Sequence, residues 1–450
     1  MKRSLFLLVI SILTLNRCNE KSENVIDSPL SIFADSLFNI HVDSAHIAGA
    51  SVIVMQNGET LLNKSYGFAS LELSTPMPPN ASFEIGSVTK QFTAAAILKL
   101  LDEGKLSLED EFTRYIEFDT KGRKITINQL LNHTSGIASY TELPEFWNIS
   151  IHQYERDSLV RLVEQKEFLF EPGESLIYNN SGYFFLGLII EKLSEKKYEE
   201  YLSEQFFEPL GMNDTYYCST TKVVKNKAYG YSFSLDGLQQ KSYLDHTWPY
   251  SAGSLCSTTA DLLKWMRAVH QGKVLNEELY SLLITPDMLN DGTPVRYAKG
   301  LANYKNFGYD VIAHGGGING FLSDTRYFPD NDLYIICLVN TMGPNGASFF
   351  AEQLTWELLD KRDYETVTME ENLQAIAGKY TGQVRGRKIS VEIDVFPDAI
   401  TQLTVGEDKA DTINVYIGNN SWMDGNNVIT IKNGELRADQ VYGYYILKKE

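Results

Sequence analysis

The spacing of apolar positions changes several times along the chain, and each change predicts a different kind of element. After Ser28-Pro29, a helix cap followed by a residue suited to a first turn, Leu30, Phe33 and Leu37 fall on one face of a helix. Two strand-like runs follow at 50–56 and 59–66, and the Asn57-Gly58 between them is a strong hairpin signal. From about 87 to 268 the pattern is mainly helical and rich in loops. Strand-like runs return at 309–314, 321–328 and 333–340, and a last helix is expected over about 347–359. Two early strands and three late ones thus enclose a helical insert. The arrangement this predicts is α+β: one antiparallel five-stranded sheet flanked by the first and last helices, with an all-helical subdomain alongside. A groove between sheet and helices is the expected place for a site.

From about Glu371 onward the texture changes to short alternating runs, such as 389–395 and 427–432, broken by Asp424-Gly425 and Asn433-Gly434. Both dipeptides are hairpin turns by composition, so a small all-β, barrel-like domain is expected over 371–450 beside a main domain over 28–362. A length of 450 residues fits two domains. The small domain could gate the groove, bind a ligand of its own, or stabilise.

Composition narrows the partners. The formal net charge is −18, with 58 acidic and 40 basic residues, and such a surface repels phosphate backbones, so nucleic acid is not an expected partner. Lys2 and Arg3 precede an almost wholly apolar stretch at 4–15, too short for a stable membrane span, which predicts an export signal over 1–18. Cys18, followed by polar residues, stands where a bacterial lipoprotein would be cleaved and lipidated, although Arg17 replaces the small residue usual there. A periplasmic or outer-membrane-anchored lipoprotein is expected, with plain secretion as the alternative. Cys218, Cys256 and Cys337 are an odd set without metal-like or C-x-x-C spacing, and buried free thiols are the expectation.

Three segments can carry chemistry. Ser87 opens an apolar helix that stops at Gly104, and Lys90 lies on the same face three residues on. A lysine facing inward there is desolvated, which lowers its pKa toward a usable base for the Ser87 hydroxyl. Two further S-x-x-K matches, Ser194/Lys197 and Ser219/Lys222, lie in polar surroundings that read as solvated surface. Tyr178 and Asn180 follow the Pro172-Gly173 turn in a loop before a helix, where a phenol can shuttle a proton and a carboxamide can hold a substrate amide. Tyr304-Lys305-Asn306 also fits Y-x-N. Third, His314-Gly315-Gly316-Gly317 at a strand edge admits close approach of a substrate and offers N–H groups to an oxyanion. A lipase-like reading of this run lacks a G-x-S-x-G elbow anywhere in the chain.

Taken together, Ser87/Lys90, Tyr178/Asn180 and His314/Gly316 resemble, in order, the S-x-x-K, Y-x-N and K- or H-x-G motifs of the serine β-lactamase-related family (class C β-lactamases, low-molecular-weight DD-peptidases, D-aminopeptidases and related esterases). Phrases such as Leu130-Leu131-Asn132-His133-Thr134-Ser135-Gly136 and Ala252-Gly253-Ser254-Leu255 support the resemblance, which covers roughly 32–359. It implies the sheet-plus-helical architecture and a set of roles. Ser87 would attack a carbonyl, with Lys90 and Tyr178 activating it and protonating the leaving group, either being the base. The N–H groups of Ser87 and Gly317 would form an oxyanion hole. Asn180, His314 and Gly316 would bind substrate. The Asn132-His133-Thr134-Ser135 phrase reads as structural. His314 and Gly315 stand where class C enzymes carry lysine and a hydroxyl residue, which weakens the expected grip on a β-lactam carboxylate. An ester or a D-amino-acid peptide, peptidoglycan-derived peptides included, is therefore the leading substrate. Alternatives are a β-lactamase and a non-catalytic peptidoglycan sensor. No metal or organic cofactor is implied, and the oligomeric state stays open.

Overall fold

Two strands with no polar face sit side by side at the centre of one sheet. Gly49–Gln56 and Leu333–Val339 pair antiparallel, Ala50 opposite Val339 and Gln56 opposite Leu333. Successive residues alternate between two cores, as a period of two requires. Ile53, Met55, Tyr334, Ile336 and Leu338 face one; Val52, Val54, Ile335, Cys337 and Val339 face the other. The second face is covered by the helices Pro29–Asp43 and Ala347–Leu358, where Phe38 stacks against Tyr66 at 4.6 Å and Phe350 at 4.5 Å. Ser28 caps the first of these, its hydroxyl accepting from Ser31 N at 3.1 Å. The first face takes the helical part, beginning with Thr89–Asp102 and Thr259–His270, whose Phe92 and Trp265 rings stack at 4.0 Å.

A computed structural model describes residues 28–362, 366–369, 373–385, 387–406, 409–413 and 415–450; the expected export segment and Cys18 lie outside them. The sheet runs Ala302–Asn306, Tyr309–Ile318, Phe321–Phe328, Leu333–Val339, Gly49–Gln56, Glu59–Ser70, Thr75–Pro76. Its five inner strands are those the sequence predicts. The edge strand Ala302–Asn306 contains the stray Y-x-N, and its polar middle offered no hydrophobic run to read.

The cysteine expectation is corrected. Cys218 and Cys256 form a disulfide, and Cys337 alone is a buried free thiol. The two partners are 38 residues apart and meet because the short strands Tyr216–Tyr217 and Leu255–Ser257 pair, Tyr216 opposite Cys256. Neither strand is long enough to be seen in sequence. Glu84 also pairs with Cys256, so the bridge braces the strand beside which the Ser87 turn begins. Replacing both cysteines by serine should cost about 2–4 kcal/mol, read as a lower denaturant midpoint at constant slope. A midpoint equal to that of the disulfide-bonded protein would contradict this.

The C-terminal residues form a barrel-like β domain around Trp422, Tyr416, Ile393, Ile431 and Leu447. Asp424-Gly425 and Asn433-Gly434 make the expected turns, with positive φ at Gly425, Asn433 and Gly434. The domain is not an isolated appendage. Its strand Gly443–Lys449 pairs with Leu176–Ile177 of the main domain, Gly443 opposite Ile177. Ser175 Oγ donates to Tyr444 O at 2.5 Å, and Arg296 pairs with Asp439 at 2.8 Å. The segment leading to Tyr178 is thus stitched to the barrel.

Candidate active site

From Ala81 to Leu98 every residue is buried except Ser87. It lies in the turn Gly86–Val88, which runs directly into Thr89–Asp102. Lys90, one turn on, is buried, and its Nζ has three neighbours: Ser87 Oγ at 3.2 Å, Asn180 Oδ1 at 2.8 Å and the Ala252 carbonyl at 2.8 Å. Burial holds the Lys90 amine well below the ordinary lysine range. Lys197 and Lys222, the partners in the other two S-x-x-K matches, are exposed.

Asn180 is the first residue of the helix Asn180–Ser194, one step inside the expected loop, because Asn179 serves as its cap and accepts from Gly182 N at 2.8 Å. Thr141 Oγ1 accepts from Asn180 Nδ2 at 3.0 Å, and this fixes which amide atom faces Lys90. The Asn180 side chain is therefore spent on Lys90 and Thr141.

Tyr178 follows the strand Leu176–Ile177. Its ring packs 4.3 Å from that of His133, centroid to centroid, with Lys90 Nζ 4.9 Å above it. The hydroxyl is buried and has no hydrogen-bond partner among the described residues. Burial pushes the phenol pKa up; nearby Ser87 and the Arg385 charge pull it back, without Ser87 completing a hydrogen bond.

His314 lies in the strand Tyr309–Ile318 and is 1% exposed. Its Nδ1 contacts the Gly315 carbonyl, which can only accept, so the ring proton sits on Nδ1. Nε2 then accepts from the Tyr297 hydroxyl at 2.9 Å. Burial and the neighbouring Lys90 lower its pKa to about 3. His314 is neutral, and neither ring nitrogen is free to donate to a substrate carboxylate.

The three glycines differ in what they permit. A Cβ on Gly316 would stand 2.2 Å from Ile85 O, 2.3 Å from Ser323 Oγ and 3.1 Å from Ser87 N. One on Gly317 would meet only Leu322 Cδ2, at 3.5 Å. Gly316 therefore lets the Ser87 turn lie flat on the strand, which sets where the Ser87 N–H points. Gly316→Ala should displace that N–H and cost about 1–3 kcal/mol of stability. Gly317→Ala should cost less than about 1 kcal/mol. Equal thermal stability of the two variants would refute the difference.

Ser87, Tyr178, His314 and the three glycines line a cavity of about 350 Å³. Two of its walls come from the barrel: Tyr442, whose hydroxyl accepts from Gly315 N at 3.0 Å, and Arg385. Sequence reasoning missed both, since nothing local links them to the cleft. It also missed Tyr297 and the Ala252 carbonyl. His133, read as structural, is a packing residue: Nδ1 accepts from Asn179 N at 3.2 Å and the ring wedges between Tyr178 and Tyr297.

A family model described as Beta-lactamase matches residues 34–360. Penicillin-binding protein 4* of Bacillus subtilis is 30% identical over 314 residues, 66% of this chain and 68% of that one. Among solved structures, the octameric penicillin-binding protein homologue of Pyrococcus abyssi superposes with a TM-score of 0.65 at 25% identity, covering 92% of this chain and 99% of that one. A D-stereospecific amidohydrolase from Streptomyces sp. gives a TM-score of 0.62 at 26% identity, covering 71% and 97%.

Proposed function

The chain belongs to the Beta-lactamase family, and from that premise we propose that it hydrolyses esters or D-amino-acid-containing peptides and amides through an acyl-enzyme on Ser87. One observation carries the proposal: the buried Lys90 amine held between Ser87 Oγ and two acceptors. A neutral amine has two N–H bonds and one lone pair. Asn180 Oδ1 and Ala252 O take the two N–H bonds, and the lone pair is left for the Ser87 proton.

The steps follow from this arrangement. Ser87 Oγ attacks the substrate carbonyl carbon while its proton passes to Lys90. The negative oxygen is held by the N–H groups of Ser87 and Gly317. Tyr178, kept as a neutral phenol by burial, donates its proton to the leaving group and regains one from Lys90. Water then adds to the acyl-enzyme, giving its proton to Lys90; the C–O bond to Ser87 breaks, and Lys90 returns that proton to Ser87 Oγ. Asn180 acts here by positioning Lys90.

Two points favour esters and D-peptides over β-lactams. His314 brings no cation to the third motif, and the amidohydrolase relative is named as D-stereospecific. The test is a panel of p-nitrophenyl acetate and butyrate, D-Ala-p-nitroanilide, a D-Ala-D-Ala peptide and nitrocefin, each with Ser87→Ala as control. Nitrocefin turnover that matches the best ester and disappears in the control would reverse the order. We also propose that the chain is exported. The charged and apolar start of the sequence supports this, as does the Cys218–Cys256 bridge, a bond that persists in oxidising compartments. Mature protein that retains Met1 would argue against it.

A further inference from the structure

A cation with no counter-ion among the described residues stands in the cavity that holds Ser87. Arg385 follows the strand Gly378–Val384 of the barrel with a backbone φ of 49°, where the chain doubles back into Arg387–Val395, Val384 opposite Arg387. From here the Arg385 side chain reaches the main domain. The guanidinium carbon is 6.0 Å from the centre of the Tyr178 ring, and the side chain lines the same cavity as Ser87.

No carboxylate pairs with it among the described residues. Asp324, the acid in the cavity wall, is held instead by Arg326 at 2.8 Å. His314 is neutral, and Lys90 is committed to Ser87, Asn180 and Ala252. Among the described residues that line this cleft, Arg385 is therefore the permanent positive charge, delivered by the second domain rather than by the third motif. Its field reaches the buried site: beside the larger effect of burial, it adds to the lowering at His133 and offsets part of the rise at Tyr178.

We infer that Arg385 forms a carboxylate subsite: the barrel completes the active site by recognising an anionic group on the acyl substrate. The inference rests on the reading of Ser87 as an acylating serine. A guanidinium is always charged and offers a planar fork that matches a carboxylate at two points. The barrel backbone fixes where that fork lies, since Tyr442 anchors to Gly315 and Gly443–Lys449 to the Tyr178 segment. Arg385 is open to solvent on one side, so its pull is partly screened by salt.

The carboxylate belongs either to the acyl part of the substrate or to the leaving group, and two matched pairs separate these. 4-Nitrophenyl hydrogen succinate against 4-nitrophenyl butyrate puts it on the acyl side. N-acetyl-D-alanyl-D-alanine against its C-terminal amide puts it on the leaving side. The quantity read is the ratio of kcat/KM, anionic over neutral, in the full-length protein. Arg385→Gln should lower that ratio about 10–100-fold in one of the pairs, mainly through KM, and Arg385→Lys should restore part of it. Ratios unchanged by Arg385→Gln in both pairs would overturn the inference.

Binding to the Ser87→Ala protein, measured by calorimetry with N-acetyl-D-alanine and N-acetyl-D-alaninamide, needs no turnover. A preference for the acid that vanishes on adding Arg385→Gln supports the subsite even if hydrolysis fails. No such preference while Arg385 is present counts against it. Absence of turnover by the wild-type protein sinks the hydrolase reading alone.

Discussion

Ser87→Ala should lower kcat/KM for the best ester substrate about 10⁴–10⁶-fold and leave a folded protein. The size follows from the mechanism: without Oγ no acyl-enzyme forms, and what remains is the contribution of the oxyanion donors and of binding. The fold should survive because Ser87 is the single residue between Ala81 and Leu98 that is not buried, so truncating it opens no cavity. It removes one polar contact, the 3.2 Å approach to Lys90, whose amine keeps Asn180 and Ala252. Stability should therefore change by less than about 1 kcal/mol. A fluorophosphonate should label wild type on the peptide that contains Ser87, and nothing in the variant. Residual turnover above about one per cent of wild type, or label on another serine, would remove Ser87 from its role. Failure of the wild-type protein to take label at all would favour a binding protein that keeps the fold without the chemistry.

How much of this site was legible in the sequence depends on the range of the interaction. The Ser87 segment could be read because an unbroken apolar helix, ending at Gly104 with φ 68°, surrounds one serine and one lysine. The central strands could be read because both faces are covered, leaving continuous apolar runs bounded by turns such as Asn57-Gly58. The state of His314 could not. Its neutrality depends on Tyr297, seventeen residues earlier, and on complete burial. The disulfide depends on two strands of two and three residues finding each other. Arg385 and Tyr442 enter the cleft only because Leu176–Ile177 pairs with the start of the barrel strand Gly443–Lys449, some 266 residues downstream, the separation of Gly443 and Ile177. Local pattern specifies the elements and the motifs they carry. Which second-domain side chain faces the nucleophile is decided by docking, which leaves no trace in periodicity.

Lys90→Met should reduce kcat/KM about 10²–10⁴-fold and, unlike Ser87→Ala, change how stability responds to pH. The acid limb of the wild-type rate profile should report loss of a proton from Lys90, at a pH well below the ordinary lysine range because burial disfavours the ammonium. The variant should lack that limb. For stability the sign follows from proton counts. Lys90 has a lower pKa folded than unfolded, so between the two values the unfolded chain holds a proton that the native one lacks. Wild-type stability must then rise with pH across that window, up to the ordinary lysine value of about 10.4, and methionine removes the slope. Methionine also leaves Asn180 Oδ1 and Ala252 O without a donor, at about 1–3 kcal/mol each, but this loss is nearly independent of pH. The variant should therefore compare worst with wild type near the top of the window and better toward lower pH. Denaturant unfolding of both proteins at several pH values between 6 and about 10 resolves the two contributions. Parallel curves would mean that Lys90 titrates like a solvated lysine, and the assignment of the base would then pass to Tyr178.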